Sequence, residues 1–165
     1  MHIIVTGTPG TGKTTIAKAL AHKLKLHYLN EHDFCARNKI GKIDWKTGEL
    51  VVPIPALQKA LQKLLKKEKS LVLEGHLLCE ARLPVDLAIV ITCNEKLLER
   101  RLKKKHYSDE KLLENLHCES IKYCKYRALK NYGKKKVLRM DNSKGIKKTL
   151  PLIIKALKKI QQENQ

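Results

Sequence analysis

Nine residues, Gly7-Thr8-Pro9-Gly10-Thr11-Gly12-Lys13-Thr14-Thr15, follow directly on the apolar run His2-Ile3-Ile4-Val5-Thr6. A buried strand that stops at Thr6, glycines that let the chain curl with its N–H groups turned inward, and a helix starting near Gly12 together make an anion site. This is a phosphate-binding loop. The N–H groups of Gly10, Gly12, Lys13, Thr14 and Thr15 can cradle phosphates. Lys13 can reach the β- and γ-phosphates of a nucleoside triphosphate, and the Thr14 hydroxyl can take one position on Mg²⁺. A strand and helix joined in this way commit the chain to an α/β architecture.

The rest of the sequence repeats that alternation. Ile16, Ala17, Leu20, Ala21 and Leu24 share one face of a helix over 12–25. Leu26 to Leu29 reads as a second strand and Asn30 to Arg37 as a polar helical segment. From Asn38 to Gly48 no period is visible, which predicts a mobile loop, and Glu49 to Pro53 reads as a brief extended piece. A helix follows to about Lys67, with Leu57, Ala60, Leu61, Leu64 and Leu65 as its stripe. Ser70 to Leu73 and Asp86 to Thr92 are continuous apolar runs of the kind that parallel strands show when both faces are covered. Asn94 caps a helix over 95–104, Glu110 to Tyr132 reads as one long amphipathic helix, and Val137 to Met140 is the last strand. A helix lined by Ile146, Leu150, Ile153, Ile154, Leu157 and Ile160 closes the chain. The expected fold is a three-layer α/β P-loop NTPase domain over 1–165: a five-stranded parallel sheet flanked by helices, with ligands at the carboxyl ends of its strands. The loop, Glu74 and Asp141 fall at such ends.

At 165 residues the chain is expected to form one domain with one site. It contains no apolar run of membrane-spanning length and no signal-peptide pattern, so a cytoplasmic protein is expected, monomeric by default. Five cysteines with no C-x-x-C spacing read as small apolar fillers in a reducing compartment. Thirty-five Lys and Arg against 16 Asp and Glu give a net charge of +19, far more than a triphosphate pocket needs, and point to a polyanion such as RNA.

A phosphate loop alone does not separate kinases, GTPases and ATPase motors. The string Asn38-Lys39-Ile40-Gly41 lacks the Asp of a guanine reader and comes too early in the chain. A small kinase is favoured by the pairing of an irregular segment after the second strand (about 30–53) with a basic connection at 100–109 (lid segment about 104–114). Arg37, with Asp33 one helical turn earlier, either binds a monophosphate's phosphate or makes a surface i,i+4 pair.

Several strings now become specific: Thr6 to Thr15, Leu73-Glu74-Gly75-His76-Leu77, Arg101-Leu102 followed by His106-Tyr107-Ser108, and Lys111-Leu112-Leu113-Glu114-Asn115 leading into Cys118-Glu119. Over nearly its whole length the chain resembles the adenylate kinase isoenzyme 6 family, small nucleoside monophosphate kinases of archaea and the eukaryotic nucleus that also serve small ribosomal subunit maturation. The resemblance implies transfer of the terminal phosphoryl of ATP to AMP and other monophosphates with Mg²⁺, a weaker ATPase, and transient contact with a platform protein and rRNA of the small subunit. It implies that Glu74, where eukaryotic members carry Asp, joins Thr14 at Mg²⁺, and that Arg101 and Lys105 close from the lid onto the transferred group. Lys105 stands where the family has Arg, and supplies a point charge without the bidentate fork. His76 either orients water for hydrolysis, as the resemblance implies, or is a satisfied core histidine.

Overall fold

A computed structural model describes residues 1–105 and 107–163, so His106 in the lid string lies outside the described residues. Five parallel strands, β1 (His2–Thr6), β2 (His27–Asn30), β5 (Leu71–Glu74), β6 (Leu87–Thr92) and β7 (Val137–Asp141), form one sheet in the order β2-β5-β1-β6-β7. The carboxyl ends gather around the phosphate loop: β2 and β5 end opposite Val5, and β6 and β7 run two residues beyond the pair of Thr6 with Val90. Side chains along β1 alternate between the sheet's two faces. Ile4 packs with Leu57, Leu61 and Leu65 of α3 (Ile54–Lys67), whereas Ile3 and Val5 pack with Ile16 and Leu20 of α1 (Lys13–Leu24) and Ile153 and Leu157 of α7 (Ile146–Glu163). Both faces are therefore dry. Each fully buried Leu or Ile contributes about 1.5–3 kcal/mol, and these two layers hold the loop's platform rigid.

The remaining elements frame the cleft: α2 (Glu31–Arg37), a two-stranded hairpin of β3 (Lys42–Ile43) and β4 (Leu50–Val51), α4 (Glu95–Lys103), α5 (Asp109–Ser120) and α6 (Tyr123–Tyr132). Asn30 and Asn94 cap α2 and α4, accepting from the N–H groups of Asp33 and of Lys96 and Leu97.

Two expectations are corrected. The loop expected over 38–48 contains β3 and an Asx-type turn: Asp44 Oδ1 accepts from the N–H groups of Lys46 at 2.7 Å and Thr47 at 3.1 Å, and Gly48 N–H returns to the Asp44 carbonyl at 2.7 Å. With two-residue strands, this hairpin is too short to leave a period in the sequence. The long helix expected over 110–132 is two helices broken at Lys122, which sits at φ 56°. The apolar stripe runs on across the break, so periodicity does not register it. Glu119, in the last turn before the break, faces the phosphate loop, where its Oε2 accepts from the Thr8 hydroxyl at 2.6 Å.

Candidate functional site

The strand ends open into a cleft of about 1820 Å³. Its floor is the phosphate loop. Gly10 and Gly12 adopt φ of 93° and 98°, and Gly7 lies so close to β6 that a Cβ there would overlap the Ile91 carbonyl oxygen. The loop is fastened from outside as well. Arg101 Nη1 donates to the carbonyls of Gly10 at 3.2 Å and Thr11 at 3.3 Å, and Asn142 Nδ2 donates to Thr11 at 2.9 Å. Glu119 bridges Thr8 to the Cys93 N–H. These bonds spend the loop's carbonyls on the protein and leave its N–H side for an anion.

Lys13 is buried, with its ammonium donating to the Thr8 carbonyl at 3.2 Å. Burial lowers its pKa, and the nearby carboxylate of Glu74 opposes that fall. Thr14 and Thr15 are exposed at the start of α1, so their hydroxyls face the cleft. Glu74 ends β5, and its Oε2 accepts from Asn30 Nδ2 at 2.7 Å and the Tyr28 hydroxyl at 3.2 Å. One carboxylate and one hydroxyl suit a small hard cation that arrives already held by phosphates and keeps several waters. Among the described residues no cluster of three or more His, Cys, Asp or Glu side chains could hold a metal alone.

His76 follows Glu74 and Gly75 and lies on the cleft wall with part of its side chain open to water. Partial desolvation by the cleft walls, then the charges of Lys13 and Lys111, lower its pKa. Its open edge to water weakens the first effect and leaves the second, so the ring is neutral at physiological pH. The turn carrying it is pinned by α6: Asn131 Nδ2 donates to the Cys79 carbonyl at 2.7 Å and the Tyr132 hydroxyl to the Leu78 carbonyl at 2.6 Å.

Lys105 and Arg101 both line the cleft, Lys105 exposed at the end of α4 and Arg101 occupied with the loop carbonyls. Asp33 and Arg37 do not. The first turn of α2 brings Glu31 and His32 to the cleft, whereas Asp33 and Arg37 are exposed beyond its lining, with Arg37 Nε donating to the Asp33 backbone carbonyl at 3.2 Å. No carboxylate–guanidinium pair forms between them among the ion pairs of the described residues. Asp141 turns back on Ser143, and its neighbour Asn142 reaches the loop instead.

Three residues without an assigned role prove central. Glu119 and Asn142 brace the loop across more than a hundred residues of chain, and no local spacing announces them. Glu31 is 2% exposed, its Oε2 has no hydrogen-bond partner among the described residues, and burial pushes its pKa up to about 8 against the pull of Lys13. Its only sequence signal is a carboxyl placed directly after a strand end.

The sheet order and the loop define the fold of small P-loop kinases. A gluconokinase from Sinorhizobium meliloti superposes with a TM-score of 0.64 at 14% identity, covering 98% of this chain and 94% of that one. A deoxyadenosine kinase from M. mycoides with bound dATP gives 0.63 at 18% identity, over 96% and 100%. At such identities the likeness is one of fold. Residues 3–122 match the AAA domain family. A Pyrococcus abyssi protein named "Putative adenylate kinase" is 42% identical over 122 residues, 73% of this chain and 64% of that relative. A Thermococcus gammatolerans protein of the same name is 34% identical over 164 residues, 96% of this chain and 89% of that one. The chain belongs to this archaeal adenylate kinase-like family of P-loop proteins, as its motif strings led one to expect. It spans about two thirds of the length of relatives such as the Pyrococcus protein. No helix among the described residues is long and apolar enough to cross a membrane.

Proposed function

We propose that the chain is a nucleoside monophosphate kinase that moves the terminal phosphoryl group of ATP to AMP and other monophosphates, with ATP hydrolysis as a side reaction. The observation that carries this reading is the buried Lys13 ammonium inside a braced cradle of N–H groups. Phosphoryl transfer demands positioning and charge neutralisation more than covalent chemistry. Gly10, Gly12, Thr14 and Thr15 offer N–H groups to the phosphates, and Lys13 exchanges the Thr8 carbonyl for the β- and γ-oxygens. Thr14 and Glu74 would hold Mg²⁺, whose role is to screen the triphosphate's charge. Lys105 closes from the lid, joined by Arg101 if it leaves the loop carbonyls. Arg37 meets the acceptor's phosphate after α2 swings toward the cleft, with Asp33 steering its side chain. Neutral His76 can accept a hydrogen bond from a water beside the γ-phosphate, which supports the hydrolytic side reaction.

The test is ADP production from Mg·ATP with and without each monophosphate, with Lys13→Ala as blank. AMP-dependent turnover absent from the blank is the expected result. Slow hydrolysis indifferent to monophosphates would overturn it in favour of an ATPase acting in ribosome assembly. That second reading is supported by the +19 charge, which suits small-subunit rRNA and a platform protein surface. RNA affinity should then fall steeply with salt, and a flat response would remove RNA from the account.

A further inference from the structure

Cys35 and Cys93 behave as fillers: both are buried in apolar clusters, and burial pushes their thiols up to about 11. The other three cysteines converge. Cys79 closes the 3₁₀ turn Leu77–Cys79 that follows His76, Cys118 lies in the last turn of α5, and Cys124 opens α6 just past the break at Lys122. All three line a second cavity of about 110 Å³, whose wall also includes Thr8 and Pro9 of the phosphate loop. That is room for a few water-sized molecules.

Two of these thiols touch. Cys79 and Cys124 pack in one buried cluster with Val90 and Ala128, and the Cys79 S–H has two acceptors in reach, the His76 carbonyl at 3.2 Å and the Cys124 sulfur. The hydrogen bond with Cys79 lowers the Cys124 pKa against the group's burial, and the charge of Lys13 acts in the same direction. Cys124 is thus the one cysteine of the five shifted toward thiolate, while Cys79 is held as the thiol. A thiolate with a resolving thiol in contact and a cavity at its side is the arrangement of a redox-sensing pair. Transient disulfides of this kind are the ones a reducing compartment permits.

We propose that Cys124 and Cys79 form a peroxide-responsive modification site, closing to a disulfide that weakens nucleotide binding by the phosphate loop. This adds regulation to the kinase reading and rests only on its nucleotide-binding half. The Cys124 sulfur attacks one oxygen of hydrogen peroxide, the O–O bond breaks, and hydroxide leaves with the electron pair to be protonated to water. The Cys79 sulfur then attacks the sulfenic sulfur of Cys124, the S–O bond breaks, and the departing hydroxide takes the Cys79 proton. Two thiols lose two electrons, and one peroxide becomes two waters. The new bond draws Cys124 from the Thr8 hydroxyl, which lies within its hydrogen-bonding reach, and takes the Cys79 S–H from the His76 carbonyl. Thr8 holds the Lys13 ammonium through its carbonyl and Glu119 through its hydroxyl, so a shift there passes directly to the group that meets the phosphates.

The test treats the full, reduced chain with a small excess of hydrogen peroxide, maps its thiols by peptide mass and measures Mg·ADP affinity by calorimetry. Loss of two hydrogens in a peptide pair joining Cys79 to Cys124 is expected, with the Kd raised about threefold or more and both changes reversed by dithiothreitol. Cys79→Ser should stop at a sulfenic acid on Cys124 that dimedone captures, whereas Cys124→Ser should leave Cys79 reduced. A bond from Cys118 to Cys124, or a chain that keeps all its thiols, overturns the proposal. So does a bond between Cys79 and Cys124 that leaves the Kd unchanged. Turnover indifferent to monophosphates would remove the kinase reading and alter neither of these readouts. Because the mapping uses the unaltered chain, the proposal stays testable if either variant does not fold.

Discussion

The donor and acceptor halves of one cleft are built by opposite strategies. The phosphate loop sits on a sheet covered on both faces and is tied by Arg101, Asn142 and Glu119 from three distant elements. The acceptor wall is a hairpin of two-residue strands whose Ile43, Trp45 and Val51 are exposed, at 65%, 85% and 58%. On the kinase reading, binding of triphosphate would be rooted in the core and would draw on the stability of the whole domain. Acceptor choice, on the same reading, would fall to the hairpin, a peripheral element closed by its own turn and anchored to the core through the partly buried Ile40, Leu50 and Val52.

The largest expected effect tests the donor half. Lys13→Met should cut phosphoryl transfer by 10³-fold or more, about 4 kcal/mol of transition-state stabilisation. The same change removes a buried charge whose pKa is depressed by desolvation, so the melting temperature should stay level or rise. Steady-state kinetics beside thermal melts check both. A fall in both would mean that Lys13 is a structural member of the loop.

Next, two glycines measure the contrast directly. Gly7→Ala places a Cβ against the Ile91 carbonyl of a central strand, at φ 143°, and should cost on the order of 4 kcal/mol, enough to abolish the folded state in a marginal protein. Gly48→Ala in the hairpin, at φ 70° with nothing within 4 Å, should cost only the left-handed penalty of about 1 kcal/mol. Urea denaturation of the pair decides it, and equal costs would erase the distinction between the halves.

The same contrast governs what the sequence discloses. Parallel strands, the loop and Lys13, Thr14 and Glu74 were legible because each is announced locally, by an apolar run or by fixed spacing. The breaks were not. A single residue at Lys122 ends one helix and starts another without disturbing the stripe, and the hairpin depends on Asp44 bonding two N–H groups rather than on any pattern. Glu119, though part of a motif string, and Glu31 gave no sign of what they do, for a third reason. Their roles come from tertiary approach, to Thr8 across 111 residues in one case and to Gly75 in the other.

Glu31 joins the halves and has a pH signature. Its carboxyl is raised from 4.5 to about 8 in the fold. Stability tied to its protonated form is therefore fully present below about pH 4.5 and is lost as pH rises through about 8, because the unfolded chain ionises first. The loss should reach the order of 5 kcal/mol. Glu31→Gln cannot ionise, so its melting temperature relative to the unaltered chain should climb across this window and level off above it. A difference that does not vary with pH would show that Glu31 titrates as an ordinary carboxyl.

The smallest effect concerns the contact that crosses the cleft. Lys111 pairs with Glu49 of the hairpin and lies 4.6 Å from the Tyr107 ring centroid. Both partners are substantially solvated, so Lys111→Ala should cost less than about 1 kcal/mol, and less still in high salt. Its consequence should be local. Hydrogen exchange over residues 42–51 should quicken severalfold while the amides of the phosphate loop keep their protection, since the loop's braces do not pass through Lys111. If the loop amides quickened equally, the hairpin and the loop would be opening as one unit, and acceptor choice could not vary independently of triphosphate binding.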